Sequence, residues 1–205
     1  MSPDYSEGVI KTIIQQIMLK ITNKTYIFID SANLIFGAKA TGKWKVDFNK
    51  LFNYLKDKYQ TKKIFYYTGF KPKSSDIQKI EKLKSIGYVV KSKPLKFIKQ
   101  KSVTQKNQCP KCKHDWTKIT TKPPLVKANC DVDLTLDVLK YQSLFDQIVV
   151  LSGDGDFLIL YQYLESIGKK VKIISESKLT AKSIRIHFGQ TFTDLLSIKK
   201  QIEIK

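Results

Sequence analysis

The chain of 205 residues carries 37 lysines and arginines against 18 acids, a formal net charge of +19 with Arg185 as the single arginine. Its hydrophobic fraction of 42% and charged fraction of 27% suit one good-sized α/β domain with additions, and no apolar run nears the roughly 20 residues that span a membrane. A membrane-spanning protein is therefore excluded, the expected location is cytoplasmic, and the lysine excess points to a polyanion held by its backbone, since bidentate base reading leans on arginine.

Residues 1–23 read as a leading amphipathic helix, with Ile10, Ile13, Ile14, Ile17 and Met18 at helical spacing. Asp4 and Glu7 ahead of it, with Lys11, Gln15, Gln16 and Lys20 inside it, do not have the order of a signal peptide. It is expected to pack on the flank of the domain or on a second subunit, which leaves a homodimer open. The domain proper is expected over 24–205.

Tyr26–Asp30 is a β-favouring run that ends in a carboxylate, with Asn33 three residues on. Leu34–Val46 reads as a long connection beside that strand end. Lys39, Lys43 and Lys45 in it are candidate nucleic-acid contacts, and Trp44 is a candidate to stack on a base or to pack on the domain body. Asp47 predicts the N-cap of a helix to about Tyr59, with Phe48, Leu51, Phe52 and Leu55 on one face. Lys63–Thr68 is the second strand; Ser74 or Ser75 opens a helix over Asp76–Ser85 that Gly87 ends. Tyr88–Lys91 is the third strand, and the β-α-β-α-β order predicts a parallel sheet.

From residue 94 to 127 the periodic apolar pattern stops, so a basic insert without elements of its own is expected. Lys91–Lys127 holds eleven lysines and one acid, Asp115. Lys99, Lys101 and Lys106 are candidate phosphate contacts. Inside the insert lies Cys109-Pro-Lys-Cys112-Lys-His114-Asp-Trp116, and Cys-x-x-Cys is the half-signature of a structural zinc site. His114 and Cys130 are the nearest candidates to complete four ligands. A degenerate knuckle and a redox pair remain the alternatives.

Asp131 opens a helix to about Tyr141, where its carboxylate suits the helix dipole. Asp133 and Asp137 share one face of it, and Asp133 reads as solvated. Ile148–Leu151 is a short buried strand, and Ser152-Gly-Asp-Gly-Asp-Phe157 turns it into a helix reaching Glu165. Gly153 and Gly155 are expected to supply positive φ. Asp154 either caps that helix or joins Asp30 at the carboxyl end of the sheet, where ligands bind in open α/β folds. Lys169–Ile174 is a fifth strand, Leu179–Ile186 a short helix and Asp194–Ile204 a closing helix; His187 is read as structural.

Three motifs in order, Ile29-Asp30-x-x-Asn33, Lys127…Asp131-Val132-x-Leu134-x-x-Asp137 and Ser152-Gly-Asp-Gly-Asp-Phe157, resemble the NYN domain family of the PIN-like nuclease superfamily over about Lys24 to Leu196. The resemblance implies a three-layer α/β/α sandwich around a central, mainly parallel sheet (PIN-like, Rossmann-like) with the Cys-containing basic loop inserted. It also implies RNA cleavage dependent on Mg²⁺ or Mn²⁺. Asp30, Asn33, Asp131, Asp154 and Asp156 match the family's site positions, the four aspartates as metal ligands, and Asp137 matches a further recurrent acid. Two features depart from the pattern: Asn129-Cys130 stands before Asp131 where relatives often carry Gly-Val, and not every relative has the basic insert. Two other readings stand beside it. One is a non-catalytic nucleic-acid-binding module of the same fold; the other is a phosphatase-like hydrolase using Asp30 as nucleophile, against which Ala32 stands where a second aspartate is usual.

Overall fold

The computed structural model describes residues 24–204, so the helix expected over residues 1–23 lies outside them. Six strands, β1 (Thr25–Asp30), β2 (Lys63–Phe70), β3 (Val89–Pro94), β8 (Gln147–Leu151), β9 (Lys170–Ser175) and β10 (Phe192–Asp194), form one sheet in the order β10-β9-β8-β1-β2-β3. Every pairing in it is parallel. Strand alternation sorts the side chains into two layers. Ile27 and Ile29 of β1 face one core with α1 (Ser31–Ala40), α2 (Phe48–Tyr59), α3 (Ser74–Ile86) and α7 (Lys199–Ile202). Tyr26 and Phe28 face the other, with α4 (Asp131–Tyr141), α5 (Leu158–Ser166) and α6 (Lys182–His187). The expected three-layer α/β/α sandwich is the observed one. Because both faces are covered, the central strands are almost wholly apolar, which made them legible in the sequence.

The strand order reverses between β1 and β8, the only neighbours in this sheet from which the chain proceeds in opposite directions. At such a switch point the loops leaving the two strands splay apart and leave a crevice at the carboxyl ends.

Four expectations change. Leu34–Val46 is not a connection: Ser31–Ala40 is helix α1, capped by Asp30, whose Oδ1 accepts the N–H groups of Ala32 (3.0 Å) and Asn33 (3.3 Å). Gly37 concealed it, a poor helix former at a tight position where a Cβ would stand 3.1 Å from Glu176 Cβ. Trp44 is not a stacking platform: it is 8% exposed in the first core, with Nε1 donating to Thr41 Oγ1 at 3.2 Å. The closing helix is interrupted. Phe192–Asp194 joins the sheet edge as a strand, and only a 3₁₀ turn (Leu195–Ile198) and the single turn of α7 follow. A three-residue strand is too short to show a period.

The insert has elements of its own. β4 (Lys96–Ile98) pairs with β7 (Leu125–Lys127), and inside them β5 (Val103–Gln108) pairs with β6 (Asp115–Thr120), both antiparallel. It is a hairpin within a hairpin, with the Cys109–His114 turn at its tip. Almost every residue of it is exposed, so no buried face imposes the alternation by which strands are recognised.

Candidate acidic active site

The crevice at the switch point, about 480 Å³, is lined by Asp30 and Asn33 at the start of α1, Asp131 at the start of α4, and Asp154 after β8. Thr68 and Gly69 of β2 and Val126, Ala128 and Asn129 at the root of the insert form its other wall. That wall depends on Gly69, where a Cβ would meet Ala128 Cβ and Leu95 Cδ2 at 2.5 Å each.

A short relay of hydrogen bonds fixes the acids. Ser152, fully buried, donates from Oγ to Asp30 Oδ2 (3.3 Å) and accepts the Asp154 N–H (3.3 Å). Asn33 Oδ1 accepts the Gly153 N–H (3.0 Å) and the Ser175 hydroxyl (3.2 Å), tying α1, the β8 turn and the end of β9 together. Asp154 Oδ1 accepts the Asp156 N–H at 3.0 Å, and Asn129 Oδ1 accepts the Asp131 N–H at 3.0 Å. Asp154 is thus both readings at once: it caps the 3₁₀ turn Gly155–Phe157 and lines the crevice. Gly153 does not adopt positive φ. It is required by close packing, since a Cβ there would lie 2.5 Å from Ser175 Oγ and 2.6 Å from Thr180 Oγ1.

The acids feel one another. Burial raises the Asp30 carboxyl above its ordinary range, against the pull of its backbone and Ser152 bonds, and the charge of Asp154 raises it further. Asp131 is raised by burial and then by the charges of Asp30, Asp154 and Asp156. Such unrelieved like charge is removed by a proton or by a cation. Tyr161 lies beneath, fully buried, its hydroxyl without a hydrogen-bond partner and within the field of Asp30 and Asp154. By helical spacing Tyr161 falls on the apolar face of α5, and nothing local in the sequence marks Ser175 or Gly69. A polar-capable residue on a buried face, as at Tyr161, was the one signal available.

Other predicted positions fall elsewhere. Asp137 accepts the Tyr67 hydroxyl at 2.9 Å and lies 3.8 Å from Lys91 Nζ; it does not line the crevice. Asp133 is not merely solvated, because it pairs with Lys93. Lys39 in the last turn of α1, a ten-residue helix of about 15 Å, and Lys43 and Lys45 after it border a different hollow with Trp44. Lys99, Lys101 and Lys106 are exposed on the insert. The four-ligand zinc set is not assembled: Cys109 and Cys112 share the hairpin tip, whereas Cys130 packs on the second core. Burial pushes the Cys130 thiol up to about 11, as does Asp133 beside it. Among the described residues no three His, Cys, Asp or Glu side chains stand together as a preformed metal-binding group.

The fold and crevice define a class: a Rossmann-like parallel α/β domain whose switch point gathers aspartates from three separate elements. The NYN domain family matches residues 24–196, and the chain belongs to that family. It is 25% identical over 179 residues, 86% of each chain, to the low amplitude and bright protein LabA of Synechococcus elongatus. In fold it is similar to a Vibrio parahaemolyticus protein of unknown function, with a TM-score of 0.63 at 21% identity, over 89% of this chain and 97% of that one. Membership in the NYN family, within the PIN-like nuclease superfamily, supports a nuclease or RNA-binding role. Among the described residues no helix is long and apolar enough to cross a membrane.

Proposed function

We propose that this protein is a divalent-metal-dependent ribonuclease whose centre is the crevice at the β1–β8 switch point. The observation that supports this most is the mutual charge on Asp30, Asp131 and Asp154, three carboxylates brought from three chain segments into one crevice. A fold has no structural use for that repulsion.

The donor set fits Mg²⁺ or Mn²⁺ in chemistry, being all hard oxygen. It also fits in openness: the acids form no closed cage, and Mg²⁺ keeps several waters and takes only one or two carboxylates. Asp30, Asp131 and Asp154 would hold the ion, with Asp156, exposed at the rim, binding it directly or through water. When bound, the metal lowers the pKa of a water and neutralises charge on the scissile phosphate. The chain's own groups prepare this. Ser152 and the α1 amides keep Asp30 oriented, and Asn33 holds the turn that carries Asp154, a positioning task because its Oδ1 is already engaged. Phosphate backbone would be held by the lysines of the insert, whose root forms one wall of the crevice.

The rival reading, a nucleic-acid-binding module without cleavage, is favoured by the same lysines, which would grip a backbone whether or not it is cut. Labelled single- and double-stranded RNA and DNA incubated with Mg²⁺, Mn²⁺ or EDTA decides between them. Metal-dependent cleavage of RNA that disappears in Asp154→Asn is expected. Tight RNA binding with no cleavage under any metal leaves the binding module.

A further inference from the structure

The Cys109–Cys112 turn at the hairpin tip serves neither the crevice nor the core. Two hydrogen bonds close it: the Cys109 N–H donates to His114 O and the Lys113 N–H donates to Cys109 O, each at 2.9 Å. Lys113 takes φ 60°, a left-handed conformation that a side-chain-bearing residue adopts only where the turn demands it. Cys109 and Cys112 both lie on this closed turn. Two sulfurs carried by one closed turn are the ready half of a tetrahedral thiolate site.

Among the described residues nothing stands with the two sulfurs to complete it. The 205 residues contain one further cysteine and two histidines. Cys130 is held against the second core at the far end of the insert, next to Asp131. His187 bonds Glu165 at 2.6 Å on α6. His114 follows the knuckle but forms no group of three with the two sulfurs. A closed structural zinc site needs four ligands.

We propose that two copies of this chain join tip to tip through one zinc ion, each supplying Cys109 and Cys112. The geometry is self-complementary, so a two-fold contact closes after two copies and does not propagate. Charge favours it as well. Four thiolates on Zn²⁺ leave about two negative charges, and each tip brings the exposed Lys111 and Lys113 to the same place. Without metal these lysines repel, so the contact forms only when zinc is present. Cys112 is exposed and Cys109 half-buried, leaving the sulfur pair open to a partner.

The test uses the full chain, reduced and stripped with EDTA, then titrated with zinc chloride while molar mass and bound metal are measured. A monomer converting to a dimer with about half an equivalent of zinc per chain is expected. Cys112→Ser should stay monomeric and metal-free, with an unchanged melting temperature, and Cys130→Ser should still dimerise with zinc. A monomer holding one zinc per chain, a dimer that persists in EDTA or in Cys112→Ser, loss of zinc in Cys130→Ser, or no zinc retained at all would each overturn the proposal.

Discussion

The acidic crevice and the basic hairpin are built on opposite terms. Asp30, Asp131 and Asp154 leave buried strands and helices, and each carboxylate or its backbone is held by a named hydrogen bond. In the insert, Lys96, Lys106 and Lys118 stand on strands with no core beneath them and Lys99 and Lys101 on the link between β4 and β5, and these five enter no ion pair among the described residues. Only Lys91 and Lys93, at the base, are committed, to Asp137 and Asp133 of α4. A metal needs ligands at fixed places, whereas a phosphate backbone is held by charge that tolerates motion. The two regions should therefore fail in different observables, one in turnover and the other in affinity.

The largest separation should come from Asp154→Asn. On the proposed mechanism it lowers cleavage by more than the ~10–100-fold that removal of an outer hydrogen-bond partner of a metal ligand costs, while RNA affinity stays within about twofold. Single-turnover cleavage beside a binding titration checks this, and a matched loss of affinity would merge the two regions into one. Gly153→Ala comes next. The new methyl would collide with Ser175 and Thr180 at the turn that carries Asp154, costing about 1–3 kcal/mol, read as a lower denaturant midpoint together with slower cleavage.

On the other side of the comparison, reversing Lys99, Lys101, Lys106 and Lys118 to glutamate should flatten the salt dependence of RNA binding. Every phosphate that is no longer neutralised lowers the slope by about one unit, and the rate at saturating RNA should hold. An unchanged slope would place the binding surface elsewhere.

The smallest effect concerns pH. Asp30 and Asp131 have folded-state pKa values raised above the unfolded 3.8, so the folded state binds more protons between the unfolded and folded values. Their protonation-linked stability is fully present below 3.8 and is lost as pH rises through the raised values. The metal-free protein should thus melt at a higher temperature when pH falls from neutral toward that window, as far as these two groups decide it. Asp30→Asn should reduce the dependence, and Mg²⁺ added at neutral pH should raise the melting temperature of wild type but not of the variant.

The parallel sheet, most of its helices and the three acidic motifs were legible in residue order, because strands buried on both faces must be apolar and a capping aspartate announces its helix. Asp47 and the run Gln147–Leu151 carry that information locally. Other features could be settled only by assembly. Gly37 and Gly153 look like breaks until Glu176 and Ser175 are seen against them. Trp44 looks available until α2 and the C-terminal turns cover it. Asn33 matches a family site position, but that its oxygen holds the β8 turn, 120 residues on, is visible only in the fold. The hairpin had no apolar alternation to read, and Cys130 neighbours the site motif in sequence while the knuckle sits at the far end of the insert. Local sequence determines which residues prefer a strand, a cap or a turn. Which of them meet depends on the order of strands in the sheet, a property of the whole chain's packing that no single segment encodes.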